Sequence, residues 1–258
     1  MLDTLRDRHK SESIAVLGSA PSVKMFQREE DVVIGVNGAG QLLEGNDYFL
    51  SGDEGSYKKS WYLSLPETIR CILRPHAAIY SERFYPDPDV REEMVRFYET
   101  YMDEHPEDVV FKENINLRYV ALEVKAIDDF FDEIQVPNPP NIILRQVARQ
   151  EPISKEQKRI NVGGTSACMA VQIAYIMGAV EIHLYGVEFS NNIPPGYAYK
   201  GGNYFYRPKP NETGMTLPSQ RQFMDDIIRQ IQVDNVPVIS HGPTRLENTI
   251  KSVEPIEN

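Results

Sequence analysis

The sequence lacks both glycine-rich signatures by which nucleotide-binding α/β proteins are most often detected. A dinucleotide-binding fold would place G-x-G-x-x-G directly after its first strand, and the residues after the first strand-like run, Gly18 to Val23, do not fit this pattern. The phosphate-binding loop G-x-x-x-x-G-K-[ST] occurs nowhere in the chain. The NAD-binding fingerprint and the P-loop are therefore excluded.

Cysteine is scarce, with two residues in 258. Cys71 lies in an apolar, strand-like run and Cys168 in an apolar, helix-like stretch, and both environments are typical of thiols in a hydrophobic core. Two such cysteines suggest neither a disulfide framework nor a metal framework. The sequence accordingly predicts no structural metal.

Positive charge and long apolar runs are also scarce. The chain has 27 Lys and Arg against 38 Asp and Glu, whereas a general nucleic-acid-binding protein would carry a broad basic face. An acidic protein can still bind a nucleotide in a local pocket. The first residues are polar, unlike a signal peptide, and no apolar run reaches membrane-spanning length. These features predict a cytoplasmic protein that binds no nucleic acid and has no transmembrane segment.

The most informative stretch is residues 161–189, which predicts a loop, a helix and a strand arranged around an anion site. Ser166 to Met177 are apolar on nearly every face, and Gly178 ends this helix before a strand at Glu181 to Tyr185. A helix that is apolar all round must be buried, so its N-terminal N–H groups point towards whatever lies over Gly163 to Ser166. The alternative is an ordinary Gly-Gly turn before a buried helix.

Six short strand-like runs alternate with helical stretches, which is the pattern of a mostly parallel sheet covered on both faces. The runs span residues 14–18, 32–36, 47–50, 69–73, 181–185 and 236–240. We therefore predict a Rossmann-like, doubly wound α/β fold, and 258 residues are expected to form a single domain. Ligands of such sheets bind beyond the carboxyl ends of the strands. The residues expected at that edge are Gly18, Asn37, Asp53, Gly186 and His241.

Two segments interrupt this pattern. Between about residues 81 and 159 the composition changes to acidic helical stretches followed by a basic run, which predicts a helical insertion. Between about residues 191 and 218 there is little regular patterning but much Gly, Pro, Asn and Tyr. Loops of this length are usually either functional lids or disordered, and the tyrosines favour a lid that folds over a ligand.

Four motifs carry a resemblance to a known family. They read LGSAPSV from Leu17, GVNGAG from Gly35, DYFLSGD from Asp47, and GGTSACMAVQIAYIMGAVEIHLYGVEF from Gly163. Together they resemble the bacterial sialyltransferases of glycosyltransferase family 42 and the related motility-accessory-factor and 6-hydroxymethylpterin diphosphokinase-like proteins. The similarity covers roughly residues 12–60 and 160–250. It implies a Rossmann-like sheet that binds a nucleotide.

The resemblance also implies which residues surround that nucleotide. In the family these are a Gly-x-x-Pro-Ser turn, an Asn after the second strand and a Thr-Ser helix start, and tyrosine hydroxyls of a covering segment contact the phosphate. Tyr197 and Tyr199 are the nearest matches to those tyrosines. The nucleotide site predicted from the motifs and the resemblance comprises Gly18, Ser19, Pro21, Ser22, Asn37, Gly38, Gly163, Gly164, Thr165, Ser166, Gly186, Glu188, Tyr197 and Tyr199.

The reaction implied by the resemblance is transfer of a sugar from a nucleotide-activated, CMP-linked donor to a glycan acceptor in surface-glycan synthesis. It needs groups that stabilise the departing phosphate and a base that takes the proton of the acceptor hydroxyl. The family's catalytic histidine aligns with Met215, and methionine cannot accept a proton. Glu188, Asp53 and His241 are the candidate replacements. Glu188 ranks first for contact with the ligand, and His241 ranks first for proton transfer because of the intrinsic pKa of imidazole.

Two other functions stay open. A pterin or nucleotide diphosphokinase would need ATP and Mg²⁺ and should expose several clustered carboxylates at the strand ends. In the transferase, the adjacent carboxylates of Asp53 and Glu54 could hold Mg²⁺ through phosphates, although they do not form the D-x-D motif of many nucleotide-sugar transferases. A nucleotide-binding protein without catalysis would also explain Met215. The transferase is expected to require no cofactor, with Mg²⁺ as an optional ion. The related sialyltransferases form homo-oligomers, so the resemblance extends that expectation to this chain.

Overall fold

Ten strands are found within the residues that the structure describes. The structure is a computed structural model, and it describes residues 2–53, 55–104, 141–144, 146–147, 152–161, 165–189 and 217–252. In chain order the strands are β1 (Ser13–Leu17), β2 (Val32–Val36), β3 (Tyr48–Ser51), β4 (Arg70–Leu73), β5 (Ile142–Ile143), β6 (Gln146–Val147), β7 (Ile160–Asn161), β8 (Glu181–Tyr185), β9 (Val238–His241) and β10 (Ile250–Lys251).

Eight of these strands form one parallel sheet, in the order β10-β9-β8-β1-β2-β3-β4-β5. β2 is buried along its whole length, and β1 is buried at every position but Ser13. Parallel strands that are covered on both faces lose contact with water on either side, which explains why both read as continuous apolar runs. β6 and β7 pair with each other in a separate two-stranded sheet.

Helices cover both faces of the main sheet. The α-helices of the described residues are α1 (Ser60–Leu63), α2 (Pro75–Ile79), α3 (Pro88–Glu104), α4 (Ser166–Ile176) and α5 (Leu217–Val233), and short 3-10 helices span Leu2–Thr4, Pro21–Met25, Asn37–Leu42 and Ser56–Lys58. Every residue of α4 is buried because this helix packs against β1, β2 and β8 on one side and α5 on the other. Gly178, with a φ of 91°, follows the end of α4 in the left-handed conformation that favours glycine.

The main sheet separates two hydrophobic clusters. One lies between the sheet and helices α4 and α5, and the other lies on the opposite face, against α1 and α2. Along β1, Ile14 and Val16 belong to the first cluster, whereas Ala15 and Leu17 belong to the second. This alternation follows from the two-residue period of a strand. It confirms the predicted Rossmann-like, doubly wound α/β fold.

The six predicted strands are all confirmed, and four further strands were not predicted. The additional strands, β5, β6, β7 and β10, contain two residues each, which is too short to produce a recognisable pattern in the sequence. Both cysteines are free and buried, as predicted. Burial raises the pKa of the Cys71 thiol to about 11.

The predicted insertion and lid are described only in part. Helix α3 lies near the start of the predicted insertion, whereas residues 105–140 lie outside the described residues. Within the same stretch, β5 pairs with β4 and extends the main sheet. The lid predicted at about residues 191–218 lies outside the described residues except for the start of α5. The assignment of the chain to one domain stays a prediction.

A helix that crosses a membrane needs about 20 consecutive, mostly apolar residues. Among the described residues, no helix is both long enough and apolar enough to cross a bilayer.

Candidate functional site

The strand order reverses beside β1, which lies at the centre of the sheet. From β1 the chain adds β2, β3, β4 and β5 on one side, and β8, β9 and β10 on the other. A reversal of this kind opens a crevice beyond the carboxyl ends of the two strands that flank it. Here those strands are β1 and β8, which end at Leu17 and Tyr185. The fold therefore places its candidate ligand site over the turns that follow these two residues.

Backbone hydrogen bonds hold the two turns against each other. Gly18 N donates to Tyr185 O at 2.7 Å, and Ala20 N donates to Gly186 O at 3.1 Å. A Cβ atom on Gly18 would overlap the carbonyl oxygen of Gly186, and Gly186 itself has a φ of 68°. Only glycine allows the two backbones to approach this closely. The predicted site residues Gly18 and Gly186 thus join β1 to β8 at the crevice.

The side chain of Glu188 stabilises the turn that follows β1. Its carboxylate oxygen Oε1 accepts a hydrogen bond from Ser22 N at 2.8 Å, and the residue is 5% exposed. Ser22 Oγ in turn accepts from Gly186 N at 3.1 Å. Ser22 lies in the 3-10 helix that begins at Pro21, so Glu188 fixes the position of that helix. Contact of Glu188 with a ligand stays a prediction.

This arrangement allows a test of Glu188 that needs no ligand. Glu188→Ala leaves the N–H of Ser22 without its acceptor, so we expect the free energy of unfolding to fall by about 1–3 kcal/mol. Glu188→Gln keeps an oxygen at the same place and should lose less than about 1 kcal/mol. Urea unfolding measures both values. Equal losses in the two variants would show that the hydrogen bond to Ser22 is not the contribution of Glu188 to stability.

A second polar cluster lies at the ends of β2 and β3. Asn37 directly follows β2 and has a φ of 51°, a left-handed conformation that asparagine tolerates better than most residues. Its side-chain oxygen Oδ1 accepts from Ser51 Oγ at 2.8 Å. Ser166 Oγ lies 3.5 Å from the same oxygen and accepts from Gly52 N at 3.1 Å. The predicted residues Asn37 and Ser166 are therefore brought together.

Ser166 is the first residue of α4, and Thr165 caps that helix. The backbone of Thr165 is extended, and its hydroxyl oxygen accepts from Cys168 N at 3.2 Å. An N-cap of this type satisfies one of the first N–H groups of a helix. The N–H groups of Ser166 and Ala167 remain in the first turn, where the helix dipole favours an anion. Binding of an anion at the start of α4 stays a prediction.

Two residues of this edge were missed by the sequence analysis. Arg74 follows β4, and its Nη1 donates to Gly52 O at 3.2 Å, so a cation lies beside the Asn37 cluster. Gln172 is fully buried in α4 and binds both backbone groups of Asn161, accepting from its N and donating to its O, each at 2.9 Å. Both residues could have been found in the sequence. Arg74 stands directly after a strand-like run, and Gln172 interrupts an otherwise apolar helix.

The three candidate bases do not converge on one point. Asp53 is exposed beyond β3, and His241 is the last residue of β9, with β8, β1 and β2 between them. At the usual spacing of neighbouring strands, four steps across a sheet amount to about 19 Å. The two side chains therefore belong to opposite ends of the ligand edge. Glu188 follows β8, between them.

His241 is engaged through both nitrogens of its ring. Nε2 lies 2.9 Å from His183 Nδ1, and Nδ1 lies 3.2 Å from Ser252 Oγ. The ring is stacked on Tyr185 with the ring centres 4.2 Å apart. Burial, and secondly the neighbouring His183, lower the pKa of His241 below its ordinary value. Proton transfer by His241 stays a prediction.

The other predicted residues are divided between the described and the remaining parts of the chain. Ser19 lies in the turn after β1, Pro21 begins the 3-10 helix that contains Ser22, and Gly38 lies in the 3-10 helix that begins at Asn37. Residues outside the described part are Glu54, Gly163, Gly164, Tyr197, Tyr199 and Met215.

Comparison with known proteins gives a similarity of fold. No protein-family profile and no curated protein sequence matches the chain. The fold is similar to the sialyltransferase CstII from Campylobacter jejuni in complex with cytidine-5'-monophosphate, with 13% identity, a TM-score of 0.42, and coverage of 94% of this chain and 85% of that chain. The monofunctional alpha-2,3-sialyltransferase Cst-I from Campylobacter jejuni gives 13% identity, a TM-score of 0.42, and coverage of 93% and 78%. Similarity at these values assigns no activity to this chain.

Proposed function

We propose that the protein binds a nucleotide at the carboxyl edge of its sheet and transfers a sugar from a CMP-linked donor, as a sialyltransferase-like enzyme. The nucleotide lies across the turn after β1, the side chain of Asn37 and the first turn of α4. The phosphate accepts hydrogen bonds from the N–H groups at the start of α4, and the base and ribose lie towards β1 and β2.

The observation that carries this proposal is the contact of Asn37, Gly52 and Ser166 beside the strand-order reversal. Ser166 Oγ connects the start of α4 to the ends of β2 and β3, so three elements present polar groups at one place. Among the described residues, the amide nitrogen Nδ2 of Asn37 donates no hydrogen bond, although the residue is half-buried. A half-buried amide donor beside a helix N-terminus is suited to a polar ligand.

Positive charge at this edge supports an anionic ligand. The chain carries a formal net charge of −11, so a phosphate approaching most of its surface would be repelled. Arg74 Nη1 lies 3.2 Å from the carbonyl oxygen of Gly52, next to the Asn37 cluster. A fixed arginine and the dipole of α4 together offset the repulsion at this one place.

The choice of a CMP-linked sugar over other nucleotides rests on the resemblance of four sequence motifs to the family 42 sialyltransferases. Three of the motifs contain the observed contacts, GVNGAG with Asn37, DYFLSGD with Gly52 and GGTSAC with Ser166. Cytoplasmic location, a glycan acceptor and a homo-oligomeric state belong to the same proposal. The general base that takes the proton of the acceptor is a group at the ligand edge of the sheet, near the acceptor, and no single residue is assigned to this role.

Calorimetric titration with CMP, UMP, GMP, AMP and ATP, with and without Mg²⁺, tests the binding step. We expect CMP to bind most tightly and without a requirement for Mg²⁺. The informative variant is Asn37→Gly, because glycine keeps the left-handed backbone while the amide is removed. Loss of a hydrogen bond to a charged or strongly polar group is worth about 1.5–3 kcal/mol, so the dissociation constant for CMP should rise about 10- to 150-fold.

The matched control is Asn46→Gly, which removes the same side chain at an exposed position before β3. It should leave the affinity for CMP unchanged. Release of CMP from a CMP-sugar in the presence of a glycan acceptor then tests transfer. Preference for ATP with Mg²⁺ would favour the diphosphokinase alternative, and CMP binding without any transfer would favour a binding protein. Equal affinity of the wild type and Asn37→Gly for CMP would remove the proposed site.

A further inference from the structure

Two histidines and a glutamate meet on the face of the sheet opposite α4. His183 lies in the middle of β8, His241 ends β9, and Glu30 belongs to the loop before β2. One ligand atom of each residue lies within 4.8 Å of the ligand atoms of the other two. Residues from three separate elements thus converge on one point, away from the Asn37 cluster.

The outer nitrogen of each imidazole ring faces an oxygen atom. His183 Nε2 is buried and lies 3.1 Å from Glu181 Oε1, and His241 Nδ1 lies 3.2 Å from Ser252 Oγ. The geometry gives His183 Nε2 no hydrogen-bond partner, although the nearby carboxylate of Glu181 attracts a proton to that nitrogen. The hydroxyl of Ser252 can accept a hydrogen bond from Nδ1 of His241. With protons on both outer nitrogens, the two inner nitrogens would carry the lone pairs.

The inner nitrogens point at each other. His183 Nδ1 and His241 Nε2 are 2.9 Å apart, and His183 Nδ1 is 3.3 Å from Glu30 Oε1. A proton on one of the two nitrogens makes this contact an N–H···N hydrogen bond, whereas a metal ion bound by both rings would use both lone pairs. Ligand atoms about 2.0–2.2 Å from a zinc ion in a tetrahedral site are about 3.3–3.6 Å apart. The distance from His183 Nδ1 to Glu30 Oε1 fits this spacing, and the two nitrogens would have to separate by about 0.5 Å to bind the ion.

The carboxylate of Glu30 also needs positive charge. The residue is buried, and its Oε1 accepts from the hydroxyl of Tyr185 at 2.7 Å. Among the residues that the structure describes, no lysine or arginine forms an ion pair with Glu30. Its other oxygen, Oε2, accepts from Glu29 N at 3.2 Å, so both oxygens have a hydrogen-bond donor. A metal ion would add the opposite charge that offsets burial of the carboxylate.

We propose that Glu30, His183 and His241 form a zinc site, with the fourth coordination position open. Two imidazoles and one carboxylate are a ligand set that zinc uses with an open position, whereas Mg²⁺ and Ca²⁺ prefer oxygen ligands. The outer hydrogen bond of His241 with Ser252 corresponds to the partners that orient metal-bound histidines in proteins, and the carboxylate of Glu181 lies 3.1 Å from the outer nitrogen of His183. The proposal is independent of nucleotide binding.

Such an ion would fix β8, β9 and the loop before β2 relative to one another. Gly242 follows His241, and a Cβ atom on Gly242 would contact the side chain of Ser22, so the site adjoins the turn after β1. As a metal ligand, His241 would have no lone pair left to act as a general base. Cysteine spacing and paired carboxylates predict no structural metal in this chain. His183 and His241 lie on two different strands, so their spacing in the sequence does not show that they meet.

Zinc binding by the 258-residue chain tests the site directly. Protein freed of metal by a chelator is titrated calorimetrically with Zn²⁺, and Co²⁺ is used as a spectroscopic substitute. We expect one ion per chain, absorption typical of low-coordinate Co²⁺, and a Zn²⁺-dependent rise in the melting temperature. His183→Gln and Glu30→Gln should each weaken zinc affinity more than about 100-fold, which exceeds the usual effect of losing an outer partner.

The controls separate this site from general zinc binding by histidine. His76→Gln removes a histidine that lies beside Tyr57, Tyr80 and Tyr98, outside the cluster, and should bind zinc as the wild type does. Ser252→Ala keeps all three ligands and should weaken zinc affinity about 10-fold. Glu30→Gln has nearly the same shape as the wild type and can still accept from Tyr185, so it tests the site even if His183→Gln fails to fold. Absence of one-to-one zinc binding in the wild type, or equal affinity in Glu30→Gln and His76→Gln, would overturn the proposal.

Discussion

Replacement of Gly18 by alanine should lower the free energy of unfolding by about 3 kcal/mol, because the new methyl group has no space. Its Cβ would overlap the backbone carbonyl of Gly186, and backbone cannot move aside as a flexible side chain can. Relief of the overlap requires separation of β1 from β8 where Gly18 N donates to Tyr185 O. Urea unfolding followed by circular dichroism measures this loss.

The matched control is Gly55→Ala. Gly55 has a φ of −88°, which every residue can adopt, and a Cβ atom added there meets no other atom within 4 Å. This substitution should be neutral or should stabilise the protein by up to about 1 kcal/mol through the unfolded state. If Gly18→Ala and Gly55→Ala have the same stability, the close approach of β1 and β8 at Gly18 and Gly186 is incorrect. Binding of CMP should also be lost in Gly18→Ala, since the turn borders the proposed nucleotide site.

Replacement of Gln172 by leucine should cost about 3 kcal/mol, although leucine is the more apolar residue in a buried helix. Gln172 is 0% exposed, and its amide binds the N and O of Asn161 and the carbonyl oxygen of Cys168. Leucine would remove the three hydrogen bonds that the Gln172 amide makes with these backbone groups. A buried hydrogen bond is worth about 1 kcal/mol, so the loss of three amounts to about 3 kcal/mol. The loss is measured by urea unfolding of the variant and the wild type.

Gln222→Leu makes the same replacement at an exposed position of α5 and should change stability by less than about 0.5 kcal/mol. Because Asn161 leads into the Gly163-Gly164 segment, Gln172→Leu should also weaken CMP binding in protein that remains folded. A stability of Gln172→Leu equal to that of the wild type would show that the amide does not hold β7 to α4.

β1 and β2 could be predicted from the sequence because they are buried on both faces and are apolar runs. β8 is less completely buried at Glu181 and His183, and it could be predicted from its apolar residues before Gly186. Each of these strands is followed by a glycine or an asparagine, which positive φ or close approach requires at Gly18, Asn37 and Gly186. The strands β5 and β10 contain only two residues each, which is too short for a recognisable sequence pattern. They exist because the edge of the sheet offers them hydrogen-bonding partners, which is information held in the fold.

Part of the candidate site could also be predicted from the sequence. Gly18, Asn37 and Ser166 stand directly after a strand or at the start of a helix, so topology alone brings them to one edge. The contact of Glu188 with Ser22 joins residues 166 positions apart, and the meeting of His183 with His241 depends on the register of β8 against β9. Sequence spacing does not contain that register. Contacts between side chains on adjacent parallel strands therefore had to come from the structure.

The central position of β1 has a consequence for the order in which the chain can fold. β1 pairs on one side with β2, its neighbour in sequence, and on the other side with β8, which belongs to the last third of the chain. Closing the long loop between β1 and β8 costs conformational entropy before the contacts between these strands can offset it. Parallel pairing between such distant segments therefore forms slowly. The strands from β1 to β4 can associate early during synthesis, whereas β8 can join only after the ribosome has released it. Until then the hydrophobic edge of β1 is exposed, so truncated chains that end before β8 should aggregate and should bind no nucleotide.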